Sequence, residues 1–147
     1  MSGLYQRLIV PVNGSAGDER VLRVVGELVH RHPATLVLIY VVEVLQSMPL
    51  DAELPEEIEK GERILFQAES LARSLLGGKA DRISTDLLQA RSAGAAIVDE
   101  AIERRADAIA MATTSRVKYG KVTIGDTVPY VLKNAPCDVI VVRLGQE

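Results

Sequence analysis

The sequence predicts one α/β domain, residues 1–147, built on a doubly wound, five-stranded parallel sheet with helices on both faces. Short runs rich in Val, Ile and Leu alternate along the chain with segments whose apolar residues recur every three or four positions. Nearly continuous apolar runs are typical of strands buried on both faces. Parallel strands need crossover connections, and the helical segments between the runs supply them.

Five apolar runs are the predicted strands. They are Leu8–Val12, Thr35–Val42, Ile83–Gln89, Ala108–Ala112 and Asp138–Arg143. Four helical stripes separate them, and each would cover the sheet while charged residues face outward. The stripes comprise Val21, Val25, Leu28 and Val29; residues from Ile58 to Leu75; Ile97, Val98, Ala101 and Ile102; and Val128, Val131, Leu132 and Ala135.

Start and stop signals agree with these helices. Ser15 or Asp18 can cap the first helix. Gly77 and Gly78 are expected to end the second. Asn134-Ala135-Pro136 stops the last helix before the final strand.

Composition narrows the class of function. The net charge is −3, which gives no reason to expect binding to nucleic acid or insertion into a membrane. Aromatic residues make up only 3%, so stacking on bases is not expected as the main binding mode. No apolar run reaches the length of a membrane span, and no signal peptide is visible, so we expect a cytoplasmic protein.

The sequence does not predict an enzyme or a metal site. Cys137 is the single cysteine and is expected to be a small core residue, with no histidine to activate it. His30 and His32 lie near a helix end, where imidazoles suit the helix dipole, and no third metal ligand is near them in the sequence. The acids from Glu56 to Glu62 lie at the start of the long helix, where the positive end of the helix dipole favours negative charge.

One connection is unusually long. The stretch from Glu43 to Pro55 has no clear periodicity and contains two prolines. It is either a variable surface excursion or a lid or interface segment.

Ligands of an open α/β sheet bind at the carboxyl ends of its strands, near the point where strand order reverses. The candidate segments are therefore 12–15, 41–43, 90–92 and 111–126. The last runs from a strand to a helix and carries Arg116, Lys118 and Lys121 with no acid before Asp126. It is either an anion cradle beside a helix N-terminus or a solvated basic loop.

Several motifs together resemble the universal stress protein family over essentially the full length. They are the opening Leu-Ile-Val-Pro-Val-Asn-Gly-Ser, the strand end Tyr-Val-Val-Glu, Met111, Gly125 and the closing Asn-Ala-Pro-Cys-Asp-Val-Ile-Val-Val-Arg. The resemblance implies a Rossmann-like fold of the adenine-nucleotide alpha-hydrolase type. It also implies a homodimer that pairs through the last strand, at Val139, Ile140, Val141 and Val142.

The resemblance further implies a nucleotide site. Members that bind ATP carry Gly-x-x-Gly, nine further residues, and then Gly followed by Ser or Thr. The matching positions here hold Ala112, Ser115, Gly125 and Asp126, with Thr127 next. Adenine contacts would fall on Val12, Asn13, Val41 and Met111, and Asn13 stands where members often have an acid.

These departures weaken a phosphate site on physical grounds. Ala112 and Ser115 add a Cβ where glycine allows close approach. Asp126 would meet the phosphate with a like charge, which costs about 3 kcal/mol at about 5 Å in an effective dielectric near 20. That is on the order of a hundredfold in affinity.

The sequence therefore predicts a non-catalytic, universal-stress-type regulatory protein with no cofactor, which is dimeric, weak or inactive in ATP binding, and acts through contacts with a regulatory protein partner. The alternative is a sensor of the same family that binds an adenine nucleotide weakly: ATP, AMP or cyclic AMP. Hydrolysis of ATP is disfavoured because no general base can be identified.

Overall fold

The computed structural model describes residues 5–29, 33–118, 121–124 and 127–145. Of residues 114–118 and 121–124 it describes the backbone only. Within the described ranges there are six strands: β1 (Arg7–Pro11), β2 (Ala34–Glu43), β3 (Ala80–Ala90), β4 (Ala108–Lys118), β5 (Lys121–Ile124) and β6 (Asp138–Leu144). Four α-helices connect them: α1 (Ala16–Leu28), α2 (Pro55–Leu76), α3 (Ala93–Glu103) and α4 (Thr127–Asn134). A short 3₁₀ turn, Gly77–Lys79, follows α2.

The predicted fold class is confirmed. Five strands form a parallel sheet in the order β3-β2-β1-β4-β6. Helices α1 and α2 pack on one face, and α3 and α4 pack on the other.

Strand β5 was not predicted. The apolar pattern predicts a fourth strand that ends at Ala112, whereas β4 continues to Lys118 and β5 returns antiparallel to it. Residues 113–118 and 121–124 are rich in Thr and Val, which suit extended chain, and this explains the longer strand. The predicted strand-to-helix loop over 111–126 is therefore wrong for most of its length.

Each face of the sheet has its own core. Because side chains alternate along a strand, Leu8, Val10 and Val12 point towards α1 and α2, while Ile9 points towards α3 and α4. The predicted stripes supply the helical half of both cores. Three stripe residues, Leu28, Ile102 and Leu132, are instead 41%, 56% and 57% exposed, because each lies at the flank of its stripe.

The predicted helix ends are confirmed. Ser15 caps α1, since its Oγ accepts the N–H of Gly17 at 3.2 Å. Gly77, with φ +54°, ends α2, and α4 ends at Asn134. Within the described residues, no helix is long and apolar enough to cross a membrane.

Candidate functional site

The strand order reverses between β1 and β4, and this is where the sheet can hold a ligand. The two strands pair only at Leu8–Ala108 and Ile9–Ile109 and then diverge. Beyond Pro11 the chain stays with β2, because the N–H of Val12 donates to the carbonyl of Ile39 at 2.9 Å. A crevice therefore opens at the carboxyl ends of β1 and β4.

Four predicted adenine positions lie along this edge, but their side chains point in different directions. Val12 is 5% exposed and belongs to the core beneath α1 and α2. Met111 is 4% exposed and belongs to the opposite core, where half-buried Val41 also packs. Asn13 is exposed. Of these four side chains, only that of Asn13 is exposed to solvent.

Ala112 fills space between β4 and α1. Its side chain packs against the core on the α1 side. A Cβ placed on Gly17 would lie 2.7 Å from the Cβ of Ala112, so the methyl group of Ala112 already occupies the room beside the first turn of α1. The absent side chain at Gly17 accommodates it.

Of the remaining predicted phosphate positions, the structure describes Ser115 and Thr127. Ser115 lies in β4, where its Cα pairs with that of Ile124 in the hairpin. Thr127 is the first residue of α4 and is half-buried. Gly125 and Asp126 lie outside the described residues, as do His30 and His32.

The basic residues of this segment belong to the hairpin. Arg116 and Lys118 lie in β4 and Lys121 lies in β5, with Lys118 and Lys121 paired across the ladder. Among the residues that the structure describes, no group of three or more His, Cys, Asp or Glu could hold a metal ion.

The turn between β1 and α1 satisfies its own backbone. The carboxylate of Asp18 accepts the N–H of Asn13 at 3.1 Å and that of Gly14 at 2.8 Å. The side-chain oxygen of Asn13 accepts the N–H of Ser15 at 3.0 Å. With Ser15 accepting from Gly17, four of the five N–H donors over residues 13–17 have partners within the chain.

Sequence reasoning considered Asp18 only as a helix cap and missed its contact with Asn13 and Gly14. The signal was present, because Ser15-x-x-Asp18 is the spacing of a capping box. Burial raises the pKa of Asp18, while the hydrogen bonds from the two backbone N–H groups lower it by less. Gly14 has φ +84°, and a Cβ there would lie 3.0 Å from Ile64 of α2. Contact with α2 therefore also holds this turn in place.

A second acid, Glu43, closes the start of α3. Its Oε2 accepts the N–H of Ala93 at 3.2 Å, and Ser92 Oγ accepts that of Ala95 at 3.4 Å. Glu43 comes from the end of β2, fifty residues away in sequence. No local spacing pointed to this contact, and sequence reasoning missed it.

The long connection after β2 is anchored to the end of β3. Gln89 Nε2 donates to the carbonyls of Leu50 and Ala52 at 3.0 and 3.1 Å. Arg91 Nη1 donates to the carbonyl of Leu45. These contacts hold the connection in place while Leu45 remains 68% exposed.

Cys137 shows no sign of an activated thiol. It is half-buried and packs against the core beneath α3 and α4. Burial raises the pKa of its thiol, and the charges of Asp138 and Asp107 raise it further. The thiol therefore stays protonated near neutral pH.

The family model described as the universal stress protein family matches residues 4–143. The chain belongs to the universal stress protein family. A universal stress protein of Methanocaldococcus jannaschii is 28% identical over 146 residues, covering 95% of this chain and 83% of the relative.

Solved structures of universal stress proteins share the fold. One, from Archaeoglobus fulgidus in complex with dAMP, is 22% identical with a TM-score of 0.69, covering 94% of this chain and 98% of the other. Another, in complex with cAMP, is 21% identical with a TM-score of 0.64, covering 95% and 97%. These likenesses establish the α/β architecture.

Proposed function

We propose that this universal stress protein is a non-catalytic, cytoplasmic regulatory protein that binds ATP weakly or not at all and acts as a homodimer. The observation that carries the proposal is the closed turn between β1 and α1. A phosphate at a helix N-terminus needs unpaired N–H donors and the positive end of the helix dipole. Here Asp18 already takes the donors of Asn13 and Gly14 and brings a negative charge.

The other side of the crevice supports the same proposal. A phosphate loop presents successive backbone N–H groups to one ligand. In an antiparallel ladder, N–H groups donate instead to the partner strand. Ser115, which stands where ATP-binding members have glycine, is part of such a ladder. The position is therefore ill suited to wrapping a triphosphate.

Calorimetric titration tests this proposal directly. We expect no heat of binding for ATP with the wild-type protein at concentrations below a millimolar. The Asp126→Ser variant restores the hydroxyl residue of the ATP-binding pattern. The Asp18→Asn variant leaves one side-chain oxygen in place of the two that accept the N–H groups of Asn13 and Gly14, and it removes the charge. A gain of ATP binding in the combined variant supports the proposal. Micromolar binding by the wild-type protein contradicts it.

The homodimer is proposed through β6. Among the described strands, β6 pairs only with β4, so its outer edge has no partner strand in the described part of the chain. Val139, Ile140, Val141 and Val142 are all only half-buried. An unpaired edge strand with apolar residues on both faces favours pairing with a second copy.

Light scattering coupled to gel filtration tests the dimer. We expect a mass near twice 15.9 kDa for the wild-type chain and a monomer for Val141→Lys, which places a charge in the middle of the edge. The matched control is Ser84→Lys in β3, the opposite edge of the sheet, which should leave the mass unchanged. A monomeric wild-type protein contradicts this part of the proposal.

A second candidate function is that of a sensor for an adenine monophosphate. The observation that favours it is that similar folds are solved with dAMP and with cAMP. A single phosphate meets less repulsion from an acid than a triphosphate does. Titration with AMP and cyclic AMP in the same calorimetric series separates the two functions, because binding of either without ATP binding identifies the sensor.

A further inference from the structure

A cavity of about 370 Å³ lies between the C-terminal two turns of α1 and the end of α2. Its position is far from the crevice. Gly26 belongs to the end of α1 and Lys79 directly precedes β3, so the cavity lies at the amino ends of the strands. Its volume is within the range of sites for small organic molecules.

Three cations from two segments line this cavity. Arg20 and Arg23 lie three residues apart on α1, and Lys79 comes from the 3₁₀ turn after α2. Residues at this helical spacing share one face, so both guanidinium groups belong to the same side. Val24 and Leu75 add an apolar surface between them.

The cations differ in how far the chain already satisfies them. Lys79 Nζ donates to the carbonyl of Gly26 at 3.2 Å, which offsets the partial negative charge at that helix end. Arg23 pairs with Glu19 at 3.1 Å, but both side chains are at least half exposed, so a ligand can replace Glu19 at small cost. Arg20 has no hydrogen bond or ion pair within the described chain.

We propose that this cavity is a second ligand site, which binds a small phosphate monoester with an apolar body. Guanidinium groups bind phosphate oxygens through paired hydrogen bonds, and Arg20 and Arg23 can do so together. Val24 and Leu75 would contact the apolar part. Glu27 also lines the cavity, and its charge disfavours a second anionic group, so one phosphate is preferred to two.

Phenyl phosphate is the probe, with inorganic phosphate and pyrophosphate beside it, followed by amide chemical shifts of the full-length protein. We expect saturable shifts at Val24, Gly26 and Leu75, with phenyl phosphate binding more tightly than either inorganic anion. The double variant Arg20→Gln, Arg23→Gln should weaken phenyl phosphate about tenfold or more.

Arg73→Gln is the matched control. Arg73 pairs with Glu69 on α2 as Arg23 pairs with Glu19 on α1, and both arginine side chains are 60% exposed. This variant should change the affinity by less than about twofold, because Arg73 does not line the cavity. Equal weakening in the control and the double variant, or shifts spread evenly over all basic surfaces, overturns the proposal. The crevice plays no part in this test, so its outcome is independent of ATP binding.

Discussion

Helices α1 and α3 begin with the same tripeptide, Ser-Ala-Gly, at residues 15–17 and 92–94. In both, the serine hydroxyl accepts a backbone N–H of the first turn. The difference lies in the acid. In α1 it is local, since Asp18 reaches back to the preceding turn, whereas in α3 it is Glu43 from a neighbouring strand. The same local signal thus starts two helices, but the acid that accepts backbone N–H groups there is local at α1 and distant in sequence at α3.

Their glycines should give the largest difference. Gly17→Ala places a Cβ 2.7 Å from that of Ala112, which cannot move without its strand, and overpacking of this kind costs about 1–3 kcal/mol. Gly94→Ala meets the ring of Tyr130 at 2.9 Å and its Cβ at 3.1 Å, but that residue is 41% exposed, so the ring can rotate away and only the milder Cβ contact remains. Urea unfolding of both variants checks this. Equal losses would mean that the first turn of α1 is no tighter than that of α3.

The acids should give the next largest difference. Asp18→Ala removes the acceptor of two backbone N–H groups and should cost about 1–2 kcal/mol of unfolding free energy. Glu43→Ala removes one acceptor at an exposed helix start and should cost about 0.5–1 kcal/mol. Denaturant midpoints of the two variants at neutral pH measure the difference. A larger loss at Glu43 would reverse the comparison.

A smaller effect should appear in the dependence of stability on pH. Burial raises the pKa of Asp18 above its ordinary value of 3.8, so the folded state holds this proton more tightly than the unfolded state. The resulting stability is fully present below the unfolded pKa and is lost as pH rises through the folded pKa. Lowering the pH from neutral to about 3.5 should therefore raise the unfolding free energy of the wild-type protein relative to that of the Asp18→Asn variant. A constant difference between the two would show that Asp18 does not titrate abnormally.

The smallest effect tests whether a local acid can replace the distant one. Ala95→Asp gives α3 the same Ser-x-x-Asp start as α1. An acid in the first turn of a helix contributes about 0.3–1 kcal/mol, and we expect the lower value because Glu43 is already near. In the Glu43→Ala background the gain should be larger. A double-mutant cycle of the two positions measures this coupling, and additivity would show that they act separately.

Local sequence predicted the features that depend on nearest neighbours along the chain. The parallel strands, the cap at Ser15 and the helix stops at Gly77 and Asn134 follow from periodicity and from turn chemistry. Features that depend on distant contacts were not predictable. Glu43 reaches Ala93 only because β2 and β3 are paired in register, and the packing of Ala112 on Gly17 depends on where α1 crosses β4.

The hairpin is an intermediate case. Val122-Thr123-Ile124 is a run of β-branched residues, which is a strand signal, but it is short and follows a basic stretch. The basic residues favoured a loop interpretation, and the resemblance to a phosphate motif reinforced it. Of the predicted site residues, Val12, Asn13, Val41, Met111 and Ala112 do lie along one edge of the sheet. The face of the sheet on which each of these side chains lies depends on the pleat of the folded strands.

The pairing of β4 has a consequence for how a ribosome delivers this chain. β4 shares two residue pairs with β1 but seven with β6, which follows it in the chain. While a nascent chain emerges, β1, β2 and β3 can pair with one another, and Ala108 and Ile109 can pair with β1, but Ala110 and Met111 gain their partners only when β6 leaves the exit tunnel. An mRNA truncated before the codon for residue 138 would therefore yield a protein in which the central strand β4 lacks β6 and exposes its apolar residues. Such a product is a natural substrate for chaperones and for degradation.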